Sequence, residues 1–130
     1  PHADLTGVTL LVVERKLNPL LRITPLLESW NVRVIAAADS DEALEVLAEE
    51  PDCRTVLVDF DMPDEQAYAT IRVIRENLHA EGRIIVMGAD CARARQLHEI
   101  ARRVDDCIVC PVEPAQLLEV LGRQATGTTT

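Results

Sequence analysis

Aromatic side chains are scarce in this chain of 130 residues. Trp30, Phe60 and Tyr68 are its only aromatic residues and make up 2% of the sequence. The core must therefore be aliphatic. A platform of aromatic faces on which single-stranded nucleic acid could stack is not expected.

Positive charge is also in short supply. Lys and Arg together number 13 against 22 Asp and Glu, which gives a formal net charge of −9. Duplex DNA and anionic membrane surfaces are bound through clustered cations, so neither is an expected partner. No apolar run approaches the length of a membrane span, and no export signal opens the chain. We therefore expect a cytoplasmic domain that contacts neither membrane nor nucleic acid polymer.

The four cysteines do not form a recognisable metal motif. Without an export signal they are expected to be reduced thiols packed as small apolar side chains. Cys107 and Cys110 have CxxC spacing, but no second ligand pair accompanies them. On a strand, residues three apart point to opposite faces of the sheet. We therefore expect no metal and no cofactor at these cysteines, which are Cys53, Cys91, Cys107 and Cys110.

Short apolar runs alternate with helical patterns along the whole chain. The predicted strands are residues 8–13, 32–36, 55–59, 83–87 and 106–109. A helical pattern follows each strand, and five such units predict an α/β fold with a parallel sheet covered by helices on both faces. The length indicates one domain, residues 1–124, followed by a linker at 125–130. The start at Pro1 indicates a segment of a longer protein.

Individual residues predict where the helices begin and end. Asn18 is the predicted N-cap of the first helix, and Ser40 that of the second. Pro25 should kink or shorten the first helix because it lacks a backbone donor. Gly122 is the predicted C-cap of the last helix.

One carboxylate occupies a position typical of functional groups. Residues 55–63 read TVLVDFDMP, so Asp59 ends the third predicted strand. Open α/β sheets bind ligands at the carboxyl ends of their strands. The strand-end Asp59 is therefore the first candidate for a reactive group, with an ordinary buried acid as the alternative.

Three segments resemble the receiver domain of response regulators. They are VVER at 12–15, DFDMP at 59–63 and CPVEPAQLLEVL at 110–121. The resemblance implies the flavodoxin-like (βα)5 fold with strand order 2-1-3-4-5 and a role in two-component signalling or a phosphorelay. LLESWN at 26–31 and EAL at 42–44 are most similar to receivers embedded in hybrid sensor histidine kinases. The domain itself is then not an enzyme, and the parent chain is expected to be a histidine kinase.

The residues that a working receiver needs are largely replaced. The family uses two acids for Mg²⁺, an Asp that accepts the phosphoryl group, a Ser or Thr, and a Lys before Pro. Phosphoryl transfer depends on positioning and charge neutralisation, which these groups supply. The matching residues here are Glu14, Arg15, Asp59, Gly88 and Cys110. The resemblance therefore implies a pseudo-receiver with a vestigial phosphoacceptor site.

Arg15 is the replacement with the largest expected effect. A cation at this position should repel Mg²⁺, or pair with Asp59 and Glu14 in its place. Mg²⁺ binding is therefore expected to be weak or absent. A slow or metal-independent phosphorylation of Asp59 remains an alternative, and Cys110–Pro111 is expected to be cis, as the matching family bond often is.

Two regulatory roles remain open for such a domain. It could hold a kinase core or an adjacent receiver of the same protein in one state by direct contact. It could instead bind a cyclic dinucleotide at the face of the fourth helix and fifth strand. The candidate residues of that face are Arg93, Arg95, Cys107 and Pro111. Arg93 and Arg95 lie near a predicted helix N-terminus, which favours anions, whereas Cys107 leaves that face without an aromatic partner.

Overall fold

The computed structural model describes residues 4–15, 17–90, 93–96 and 102–126. A five-stranded parallel sheet runs through the centre in the order β2-β1-β3-β4-β5. The strands are β1 (Thr9–Val13), β2 (Arg33–Ala37), β3 (Thr55–Asp59), β4 (Arg83–Gly88) and β5 (Asp106–Val109). The predicted fold class and strand order are confirmed.

Helices connect the strands and cover both faces of the sheet. They are α1 (Leu17–Ser29), α2 (Ser40–Glu49), α3 (Asp64–Asn77), α4 (Arg93–Gln96) and α5 (Pro114–Thr126). Helices α1 and α5 pack on one face, and α2, α3 and α4 pack on the other. Within the described ranges, no helix combines the length and the apolar character that a membrane span requires.

Alternation along the strands divides the core into two clusters. In β3, Val56 and Val58 face the cluster under α2 and α3, whereas Leu57 faces the cluster under α1 and α5. The side chains of a strand alternate between the faces of the sheet, so one strand supplies both layers. Every residue of β3 is buried, as expected for a central strand of a sheet covered on both faces.

Four predictions about helices need correction. Helix α1 begins at Leu17, so Asn18 lies inside the helix and is not its N-cap. The helix is not shortened at Pro25 and runs on to Ser29. The N-cap of α2 is Asp39 and not Ser40: its side chain accepts a hydrogen bond from the Glu42 amide at 2.9 Å. Gly122 lies inside α5, which runs on to Thr126, so Gly122 is not the C-cap of this helix.

Some predictions fall on positions outside the described residues. The apolar pattern of the fourth helical segment predicts Ala94, Leu97, Ile100 and Ala101 on its inner face, and the last three of these lie outside the described residues, as does the chain end from 127 to 130. The inner residue of that helix that is described, Ala94, is fully buried as predicted. The division into a domain at 1–124 and a linker at 125–130 stays a prediction.

Candidate functional site

The register of the sheet brings four predicted site residues to one edge. Asp59 is paired with Met87, the residue before Gly88. Gly88 is paired with Val109, the residue before Cys110, and the Cys110 amide donates to the Gly88 carbonyl at 3.0 Å. Glu14 directly follows β1, and its amide donates to the Ala37 carbonyl at 2.9 Å. The carboxyl ends of β1, β3, β4 and β5 therefore form the site.

Two of the carboxylates at this edge are buried. Glu14 is 5% exposed and Asp59 is 8% exposed. Asp59 accepts a hydrogen bond from the Asp61 amide at 3.0 Å through Oδ1. Both side chains have further interactions, in keeping with the high cost of burying a charged group without compensation.

Asp61 belongs to this site although the sequence analysis did not single it out. A Cβ atom placed on Gly88 would lie 3.0 Å from Asp61 Oδ1. The Asp61 carboxylate therefore occupies the space into which a side chain at position 88 would project. The DFD spacing was the available signal, because it places a second acid two residues beyond the strand end.

Cys110 lies in an acidic environment. Its side chain is partly buried, and this burial raises the pKa of the thiol above its ordinary value. The negative charges of Asp61, Asp59 and Glu14, in that order, raise this pKa further. A thiol with a raised pKa is neutral near pH 7. Position 110 therefore lacks the positive charge that the Lys of the family supplies.

The structure does not show the expected ion pair between Arg15 and Asp59, both of which lie in the described part of the chain. Its side chain is exposed, and the salt bridges among the described residues include none between Arg15 and either Asp59 or Glu14. It borders a cavity of about 310 Å³ that also touches Asp39 and Asp41 at the start of α2. The expectation that Arg15 pairs with Asp59 and Glu14 is therefore corrected. The next residue, Lys16, is a second cation near this edge in sequence and lies outside the described residues.

The arrangement of the acids does not match a metal centre. Among the residues that the structure describes, no three His, Cys, Asp or Glu side chains are placed to hold a metal ion. One oxygen of Asp59 already accepts the Asp61 amide. Weak or absent Mg²⁺ binding stays a prediction, and no chemical step is assigned to a metal here.

Arg93 contacts the segment after β3 and the start of α3. Its Nη1 pairs with Asp64 Oδ1 at 3.1 Å. Its Nη2 donates to the carbonyls of Phe60 and Met62 at 3.4 and 3.3 Å. These contacts occupy both terminal nitrogens of Arg93 within the domain, and a ligand-binding role for Arg93 stays a prediction. The Arg95 side chain lies outside the described part of the chain, so binding of a cyclic dinucleotide stays a prediction.

Of the three cysteines that the structure describes, two are reduced thiols as predicted and one is not. Cys53 and Cys110 are free thiols. Cys107 is disulfide-bonded, so the expectation of a reduced thiol is wrong for this residue; Cys91 lies outside the described residues. Cys107 packs toward α2 and α3 and Cys110 toward α1 and α5, which confirms that the CxxC pair points to opposite faces.

The bond between Cys110 and Pro111 is cis, as expected. Pro111 itself is exposed on the turn that leads from β5 to α5. It lies at the same edge of the sheet as the acidic site. Of the four residues predicted for the partner face, the structure describes the side chains of Arg93, Cys107 and Pro111.

Comparison with known proteins gives a consistent picture. The sequence profile described as "Response regulator receiver domain" matches residues 10–122. The chain is 26% identical over 102 residues to the rice (Oryza sativa subsp. japonica) two-component response regulator ORR7. This alignment covers 78% of the chain and 49% of the rice protein, so the chain spans about half the length of that relative.

Solved structures share the fold at low sequence identity. One is the receiver domain of sensor histidine kinase PA1611 from Pseudomonas aeruginosa PAO1, with a magnesium ion coordinated in its active site cleft. It is 24% identical, with a TM-score of 0.74 and coverage of 92% of this chain and 98% of that one. Another is chemotaxis protein CheY4 of Vibrio cholerae, 20% identical with a TM-score of 0.74, covering 89% and 97% of the two chains.

Proposed function

Because the chain belongs to the response regulator receiver family, we propose that it is a pseudo-receiver, which regulates an attached kinase core or neighbouring receiver by direct contact. In this proposal Asp59 is not phosphorylated, and the domain performs no catalysis. In this proposal the parent chain is a two-component signalling protein, and the segments 26–31 and 42–44 favour a hybrid histidine kinase. The domain acts in the cytoplasm as a regulatory part of that chain.

The environment of Cys110 carries the proposal. A phosphoryl group on Asp59 would bring about two negative charges to an edge that already holds Glu14, Asp59 and Asp61. Two unit charges about 4 Å apart repel by roughly 4 kcal/mol at an effective dielectric near 20. Position 110 provides a neutral thiol, and position 88 provides no hydroxyl. The repulsion is therefore not offset by the groups that the family uses for this purpose.

The proposal is tested by incubation with acetyl phosphate and Mg²⁺, followed by intact mass measurement. We expect no phosphoryl adduct on the unmodified chain. A stoichiometric adduct that disappears in Asp59→Asn would overturn the proposal. Such a result would establish the alternative of a slowly phosphorylated receiver.

A combined variant provides the matched positive control. Glu14→Asp, Arg15→Asp, Gly88→Thr and Cys110→Lys together restore the residues that the family uses at these positions. Asp61→Asn is added because Asp61 occupies the space beside position 88. We expect this variant to gain an adduct at Asp59, which would show that the replaced residues disable the site. The assay conditions are then known to support phosphorylation of this fold.

A further inference from the structure

The loop that follows Asp59, residues 60–63, is held at its backbone. The Phe60 amide donates to the Met87 carbonyl at 2.8 Å, which extends the pairing of β3 with β4 by one residue. The Met62 amide donates to the Phe60 carbonyl at 2.9 Å. With the bond from the Asp61 amide to Asp59, the first three loop residues have a fixed course.

Arg93, the first residue of α4, adds a second set of contacts to this loop. Its guanidinium carbon lies 4.7 Å from the centre of the Phe60 ring. Its terminal nitrogens reach the Phe60 and Met62 carbonyls and the Asp64 carboxylate. One side chain thus joins the start of α4 to both ends of the loop and to the start of α3.

We expect the stacking on Phe60 to contribute most among these contacts. The side chain of Asp64 is 54% exposed, and ion pairs at such positions contribute little. The two carbonyl bonds, at 3.3 and 3.4 Å, are longer than ordinary hydrogen bonds. Phe60 is 1% exposed, and the Arg93 side chain is 32% exposed. A cation over an aromatic face gains strength when both groups are partly removed from water.

We infer that Arg93 is a positioning residue that locks the loop 60–63 to α4 without a phosphoryl group. The lock couples the acidic edge of the sheet to the outer face on α4 and β5. The regulatory role of this lock rests on the proposed function, whereas the contact itself does not. In the pseudo-receiver the lock holds the face of α4 in a single arrangement.

Hydrogen–deuterium exchange of the purified domain tests the inference. In Arg93→Gln we expect amides of residues 60–64 and 93–96 to exchange about fivefold faster, while amides in β1 and β3 keep their rates. Arg102→Gln is the control, because it makes the same change of charge at an arginine that is exposed to solvent in the segment before β5. This control should leave the loop unchanged.

Two results would overturn the lock. One is unchanged exchange of the loop in Arg93→Gln. The other is an equal acceleration in the loop and in β1 and β3, because this would mean that Arg93 acts only on global stability. Asp64→Asn should change the loop rates by less than about twofold. A full effect in Asp64→Asn would refute the assignment to ring stacking.

The outcome is independent of the phosphorylation assay. If the wild-type chain acquires an adduct at Asp59 while the loop still responds to Arg93→Gln, the proposed function fails but the lock remains. If no adduct forms and the exchange of the loop is unchanged in Arg93→Gln, the proposed function stands but the lock fails. The two measurements therefore report separately on the two claims.

Discussion

Gly88 shows how the size of one residue changes the role of its neighbour. The missing side chain at this position leaves space next to the strand end, and the Asp61 carboxylate occupies it. Asp61 is then close enough to Cys110 to raise the pKa of its thiol. The replacement of Gly88 and Cys110 could be read from the sequence. The position of Asp61 could not, because it depends on the turn that the chain makes after β3.

The chemical reactivity of Cys110 is the first prediction at this scale. Burial and the charges of Asp61, Asp59 and Glu14 raise the thiol pKa. Only the thiolate reacts with iodoacetamide, so alkylation should be slow near pH 7 and should increase as the pH rises above the ordinary range of a cysteine. Asp61→Asn should lower the pKa and speed alkylation at pH 8. Peptide mapping by mass spectrometry separates Cys110 from Cys53.

The control for this prediction is Glu65→Gln, an exposed acid in the first turn of α3. It changes the net charge by the same amount as Asp61→Asn, but it does not contribute to the pKa of Cys110. The alkylation rate at Cys110 should stay at the wild-type value. An equal response to both substitutions would mean that overall charge, and not Asp61, controls the thiol.

The ends of secondary structure elements were harder to predict than their positions. The bounds of β3 and β5 agree with the sequence analysis because apolar runs end abruptly at charged or turn residues. The start of α2 was placed one residue late. Asp39 caps the helix through the Glu42 amide, and the Glu42 side chain in turn accepts the Ala38 amide at 2.9 Å. The two bonds satisfy one backbone donor inside the helix and one just before its N-cap, and the prediction of Ser40 as N-cap overlooked the preceding Asp39.

The N-cap of α2 gives a prediction about stability. Asp39→Ala removes the acceptor of the Glu42 amide and should lower the free energy of unfolding by about 1 kcal/mol. Urea denaturation followed by far-UV circular dichroism measures the change. Glu45→Gln, at an exposed position in the middle of the same helix, should have an effect below about 0.5 kcal/mol. Equal effects of the two substitutions would argue against the cap.

The fold of the whole molecule was predictable because it depends on patterns that repeat along the chain. Apolar runs of strand length, each followed by a helical face, specify a parallel sheet with two covered faces. The site depends instead on the direction of single side chains. Arg15 turns to solvent, Arg93 turns toward Phe60, and Cys107 is disulfide-bonded. These side-chain directions depend on residues far apart in sequence, and the hydrophobic periodicity of the chain does not specify them.

The central position of β3 leads to a prediction about cooperativity. Its side chains contribute to both core clusters, so the two faces should unfold together as one domain. Trp30 is the single tryptophan and packs in the cluster under α1 and α5. Its fluorescence and far-UV circular dichroism should therefore give coincident urea transitions, although the first reports one face and the second the whole chain.

Substitution in β3 tests the same point more severely. Leu57 is fully buried in the cluster that contains Trp30, and Leu57→Ala should lower the free energy of unfolding by about 2–5 kcal/mol. Both probes should shift by the same amount, because loss of one layer removes support from the other. Val109→Ala, at a site that is 47% exposed, should cost less than about 1 kcal/mol. If Leu57→Ala moved the fluorescence transition alone, the two faces would be separate folding units, and the single-domain description would be wrong.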